Sequence, residues 1–210
     1  VGLSAAPVRL TKASGKDVVL VRRFDREWNG RGWTRRAMVS ALTMLGLGEM
    51  QARYASYGDL AEMVRARFTD PKETLRELFG RLVFNVLAGN TDDHARNHAA
   101  FWDGAGLTLT QAYDICPQPR NGREANQAML VHGEDKRSLL ESCRLSASNY
   151  LLSDGAARAL INHQVVTIAQ LWDGICDEAE LSMIDRSYLW RRQFVNDYAF
   201  EGYVDGAPKL

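Results

Sequence analysis

The strongest periodicity in the chain lies between residues 71 and 88, where Leu75, Leu78, Phe79, Leu82, Val83, Val86 and Leu87 recur at steps of three and four. That spacing is one face of an α-helix. Thr69-Asp70-Pro71 supplies its start, a capping side chain followed by a proline in the first turn. Gly89-Asn90 supplies a left-handed end. Upstream, residues 18–24 (Val-Val-Leu-Val-Arg-Arg-Phe) are rich in β-branched side chains, follow the turn Ser14-Gly15-Lys16-Asp17, and predict a strand. Residues 25–34 are polar, with Trp28, Gly30, Gly32 and Trp33, and predict a loop. Residues 35–45 and 57–68 predict short helices. Downstream, Ala99-Ala100-Phe101-Trp102 and Leu107-Thr108-Leu109 flank Asp103-Gly104-Ala105-Gly106 and predict a β-hairpin. A polar loop follows Pro119 to about residue 127, and helical patterning (Leu160, Ile161, Val165, Ile168, Leu171, Trp172) runs from 138 to about 198. Residues 202–210 are expected to fray. The pattern is that of an α+β fold, predominantly helical.

Composition adds bounds rather than detail. With 210 residues, 46% hydrophobic and 25% charged, the chain can bury a sizeable core as one domain or a large lobe. The net charge is zero, so no global basic field draws it to nucleic acid or acidic lipid. Cys116, Cys143 and Cys176 are far apart, odd in number and form no CxxC, which favours free thiols in a reducing cytosol. No apolar run approaches the roughly 20 residues of a membrane span, and no signal peptide is legible at Val1. A cytoplasmic protein without a membrane partner is expected.

The candidate chemistry sits just after the predicted buried helix. Gly89-Asn90-Thr91-Asp92-Asp93-His94-Ala95-Arg96-Asn97 offers a carboxylate and, five residues on, a carboxamide; Asp114, beside Tyr113, adds a second carboxylate 17 residues later. Magnesium-dependent phosphoryl transfer uses one carboxylate to orient the attacking hydroxyl and two further groups to hold metal on the phosphates. Asp-x4-Asn is also the spacing of the protein-kinase catalytic loop. Alone, Asp92-Asp93 is an ordinary polar turn; the offset to Asn97 and the hairpin that returns Asp114 give it meaning. His94 and His98 lack a third ligand for zinc. Arg22, Arg23, Arg26, Arg31, Arg35 and Arg36 form a basic cluster that reads first as a solvated face.

These residues resemble a known family. The run from Gly89 to His98, with Ala112-Tyr113-Asp114 downstream, is similar to the signature of HipA-like serine/threonine kinases, the toxins of bacterial type II toxin–antitoxin modules. Residues 20–26 resemble the family's strand entering the interlobe hinge, and residues 35–42 its next segment. The resemblance implies a protein-kinase-like C-terminal lobe over residues 35–210 and a remnant of the small lobe and hinge over 1–34. It implies Asp92 as catalytic base and Asn97 and Asp114 as magnesium ligands. His94, Ala95, Arg96 and Tyr113 would line the phosphates and base of ATP, and Arg22, Arg23 and Phe24 would form the adenine-binding hinge. The implied partners are a protein substrate, such as a translation factor, and a helix-turn-helix antitoxin that binds DNA, so that DNA is a partner only indirectly through the antitoxin. The family's phosphate-binding loop and strand lysine have no counterpart here, since Lys12 and Lys16 stand too close to the hinge strand. The expectation is a catalytic lobe with most of the small lobe absent. Two other readings stay open: a small-molecule kinase of the aminoglycoside or choline type, which uses the same three groups, and an inactive fragment acting as a binding module.

Overall fold

In the computed structural model, which describes residues 1–120 and 122–203, the chain opens with two antiparallel hairpins. Strand β1 (Val8–Ala13) pairs with β2 (Lys16–Val21) about Ser14-Gly15, which both have positive φ. That is the turn whose twist suits a two-residue hairpin. The predicted strand over 18–24 therefore begins at Lys16 and stops at Val21, and β1 is an element the hydrophobic pattern did not announce. Residues 25–34 are not a loop: β3 (Arg26–Trp28) pairs with β4 (Trp33–Arg35), Trp28 opposite Trp33. Asn29 Oδ1 closes the turn by accepting from the N–H groups of Arg31 and Gly32 at 3.0 and 2.9 Å. Both tryptophans stay exposed, with ring centroids 5.6 Å apart.

Residues 35–45 are likewise not one helix. Strand β5 (Ala37–Ser40) pairs with β6 (Ala99–Trp102), and β7 (Leu107–Leu109) completes a three-stranded antiparallel sheet in the order β5-β6-β7. Long-range pairing with β6 overrides local propensity here. Only α1 (Ala41–Met44) is helical, capped by Ser40 Oγ accepting from the Thr43 N–H at 3.3 Å. The predicted hairpin β6–β7 forms about Asp103-Gly104-Ala105-Gly106.

The helices follow the pattern more closely. Helix α2 (Tyr57–Arg67) is capped by Ser56, and α3 (Pro71–Ala88) by Asp70, with Pro71 in its first turn. Leu75, Leu78, Phe79, Leu82, Val83 and Leu87 are all fully buried. Around α3 pack α2, α4 (Leu140–Leu145) and α5 (Asp154–Glu178). The region from 138 to 198 is segmented: after α5 comes α6 (Met183–Leu189), then a non-helical turn that stacks Trp190 and Phe194 on Trp172 at 5.0 Å each. Tyr203 does not fray. It is 2% exposed and its hydroxyl meets Asn162 Oδ1 at 3.0 Å. The remainder of that predicted frayed end, 204–210, lies outside the described residues, as does Asn121 in the polar loop.

One buried cation ties the sheet end to the helices. Arg81 on α3 is 2% exposed. Its guanidinium donates to Glu77 Oε1 at 2.8 Å, Thr110 O at 2.7 Å and Ser4 O at 3.3 Å. Burial pulls its pKa down, and Glu77 opposes that. Ser4 and Ala6 also bond the backbone of Ala112, so the chain start lies against the segment that leads to Asp114.

The end of α3 yields a direct test. Gly89 has φ +68°, and a Cβ there would lie 2.6 Å from the Gln193 carbonyl oxygen. Gly89→Ala should cost about 2 kcal/mol or more, from conformation and contact together. Urea denaturation checks this; an unchanged midpoint would show that the turn relaxes freely.

Candidate functional site

Two pieces of irregular chain meet beside the three-stranded sheet. The first follows β2. Val21, Arg22, Arg23, Phe24, Asp25, Met38 and Tyr113 line a pocket of about 280 Å3. Phe24 stands edge-on to Phe101 at 6.0 Å and tilted against Tyr113 at 5.6 Å. The Arg22 N–H is spent on Pro7 O at 2.9 Å, whereas the backbone groups of Arg23 and Phe24 bond nothing among the described residues. The Arg23 guanidinium grips Asp25 through two bonds of 2.8 and 2.6 Å, and these hydrogen bonds hold the Asp25 carboxyl down at about 2.

The second piece is the loop from Asn90 to His98. Gly89 ends α3 in the left-handed conformation and Asn90 Nδ2 bonds Asn85 Oδ1 at 3.0 Å, so the loop leaves a buried point. Asp92 is exposed, while its neighbour Asp93 is 3% exposed. Asn97 is buried, donates from Nδ2 to Asp92 O at 3.4 Å, and receives no bond at Oδ1 among the described residues. Asp93 Oδ2 accepts from the Tyr57 hydroxyl and faces His98 Nε2 at 3.0 Å. Burial alone would raise the Asp93 pKa; the charge and hydrogen bond of His98, with the Tyr57 hydroxyl, more than offset it and hold the carboxyl below its usual range. Tyr57 is pushed well above an ordinary phenol, first by burial and then by Asp93.

Tyr113 joins the two pieces. Its ring forms part of the pocket and its hydroxyl donates to Arg96 O at 2.5 Å. Burial, with the charge of Asp114 added, raises its pKa to about 12. Asp114 itself is exposed and adopts φ +57°. A non-glycine residue in that region carries strain that the surrounding chain must hold in place, a pattern found at functional sites.

Arg22, Arg23, Phe24 and Tyr113 thus share one pocket, and Asp92 and Asn97 touch through the loop backbone. His94, Ala95 and Arg96 do not line that pocket: Ala95 is buried, Arg96 pairs with Glu49, and His94 keeps a buried Nδ1 with no hydrogen-bond partner among the described residues. Pattern reading missed Met38, hidden in a segment taken for helix, and Tyr57, which carried no motif. Among the described residues no three His, Cys, Asp or Glu side chains cluster as a metal site. Magnesium needs less, since it keeps several waters and commonly takes one or two protein oxygens beside substrate phosphates. The free Asn97 Oδ1 and the unpaired Asp114 carboxylate fit that demand.

Comparison with known proteins bears on the family and the fold. The HipA-like C-terminal domain matches residues 1–172. Y4mE of Sinorhizobium fredii, whose name carries the word kinase, is 28% identical over 120 residues, covering 55% of this chain and 29% of Y4mE. HipA of Shewanella oneidensis, solved in a toxin–antitoxin complex with HipB and operator DNA, superposes with a TM-score of 0.74 at 18% identity, over 91% of this chain and 50% of that one. The Helicobacter pylori proinflammatory kinase CtkA superposes with a TM-score of 0.60 at 14% identity, over 96% of this chain and 82% of its own. The chain therefore spans about a third of Y4mE and half of that HipA chain.

The buried carboxylate carries a pH signature. Its folded pKa is lowered, so its contribution is present above the unfolded value of about 3.9 and is lost as pH falls through the folded one. The stability difference between wild type and Asp93→Asn should therefore be larger at about pH 5 than at about pH 3. Chemical denaturation at both values checks this; a difference that grows on acidification would contradict it.

Proposed function

The chain belongs to the HipA-like C-terminal domain family, and from that premise we propose that it is the catalytic lobe of a protein serine/threonine kinase that transfers a phosphoryl group from Mg-ATP to a hydroxyl. The observation that carries the reading is the pairing of an exposed Asp92 with a buried Asn97, joined through Tyr113 to an exposed, left-handed Asp114. Asp92 orients the acceptor hydroxyl and takes its proton. Asn97 and Asp114 would hold the metal through Oδ1 and the carboxylate. Magnesium, when bound, offsets charge on the transferring phosphates. Adenine would lie against Phe24 and Tyr113, with the unspent backbone groups of Arg23 and Phe24 as its hydrogen-bond partners. Residues 1–34 serve as hinge and small-lobe remnant, and residues 35–210 as the catalytic lobe. Ala95 is buried, and Arg96 is held by Glu49 while its carbonyl accepts from the Tyr113 hydroxyl.

The Shewanella complex with HipB and operator DNA supports a toxin role and an antitoxin partner; a helix-turn-helix form for that antitoxin, with DNA reached only through it, completes the proposal. A translation protein in the cytoplasm is the proposed substrate class. Among the described residues no helix is long and apolar enough to cross a membrane.

Because phosphoryl transfer rests on positioning and electrostatics, Asp92→Asn should lower transfer by about a thousandfold or more while sparing ATP affinity, and Asp114→Asn should lower both. Calorimetry with Mg-ATP, and a transfer screen over proteins and small alcohols, reads these outcomes. Transfer to a small alcohol alone would replace the protein-kinase reading with a small-molecule one. Failure to bind Mg-ATP, both in this chain and in a version extended at its N-terminus, would remove the kinase reading altogether.

A further inference from the structure

The five-residue interval from Asp92 to Asn97 has a twin one residue out of phase. Asp93 and His98 are also five apart, but both are buried, 3% and 2% exposed, and they meet at 3.0 Å. The same Asp93 oxygen accepts from the hydroxyl of Tyr57, the first residue of α2 and fully buried. The Tyr57 and His98 rings stand edge to face, with centroids 5.5 Å apart at 73°. Backbone bonds anchor both partners outside the loop: the Tyr57 N–H donates to Leu130 O at 2.9 Å, and His98 O accepts from the Ala41 N–H at 2.7 Å. None of these three side chains lines the pocket of Phe24 and Tyr113.

We propose that Asp93 is a positioning residue, clamped by Tyr57 and His98, whose buried bond fixes the separation of Asp92 and Asn97. This role rests on the kinase reading above. Closing the buried pair draws together the two chain points next to Asp92 and Asn97, so it also sets the exposed pair. With Asp93 held inward, Asp92 is left facing solvent. The register cannot slip easily, because a buried carboxylate that moves off its two partners loses charge-assisted bonds it cannot replace from water. Asn97 Nδ2 to Asp92 O, at 3.4 Å, is too long to hold the loop by itself.

The test uses the whole chain and two readouts. Tyr57→Phe and His98→Leu each remove one partner; His98→Gln restores a donor. Amide hydrogen exchange in residues 91–97 should quicken about tenfold in the first two, with α3 and α5 still protected. The transfer rate should fall about a hundredfold with KM for ATP within about twofold, and His98→Gln should recover most of it. Unchanged exchange in the loop would overturn the proposal. So would loosening that spreads through α3, or a wild-type rate per folded molecule. If wild type and Asp92→Asn both show only background transfer, it is the kinase reading that fails, and hydrogen exchange alone then decides the clamp.

Discussion

The site depends on the burial of α3. From Leu78 onward this helix is enclosed on nearly every side, and its last turn ends at Gly89 against the Gln193 carbonyl. A helix packed all round cannot rotate or slide without opening cavities in several neighbours at once. The loop with Asp92 and Asn97 therefore starts from a fixed place and direction. The same helix carries Arg81, which reaches Thr110 and Ser4 and so steadies the return of the chain towards Asp114. One buried element thus sets both ends of the candidate site.

Two buried ions of opposite sign mark the limits of that frame. Arg81 and Asp93 are each almost sealed from water, and each meets several fixed partners. Losing one partner of such a group is costly because the charge that remains has no water to turn to. Exposed pairs such as Lys12 with Glu180 are screened and hold little. The residues that most constrain the loop are thus not the conspicuous surface charges, and several carry no motif at all.

Where the chain could be read, the information was local. Helix α3 announced itself through period, cap and terminal glycine, and the β6–β7 hairpin through its turn. Asp92, Asn97 and Asp114 stood out by spacing, and Asn97 Nδ2 reaches the backbone carbonyl of Asp92 at 3.4 Å. Where reading failed, the deciding partner lay far away in sequence. Residues 37–40 carry enough apolar character for a helix, but their pairing with β6 makes them a strand, and that partner lies about 60 residues on. The Trp28–Trp33 hairpin was hidden because its polar, glycine-bearing turn resembles any loop. Tyr57 could not have been found, since its meaning comes only from the carboxylate it meets across the fold.

The first hairpin has one more property. It joins the body through only two strands of chain, at Pro7 and at Arg22, and those residues are bonded to each other by Arg22 N–H to Pro7 O. Its far end touches the body through the Lys12–Glu180 pair at the end of α5. The Arg22–Pro7 bond pins the two legs together at the base, so β1 and β2 leave the body as one paired unit. Arg22 and Val21 form one wall of the pocket. The pocket wall therefore continues straight into a two-stranded arm, and the outer end of that arm meets Glu180 through a solvent-screened pair.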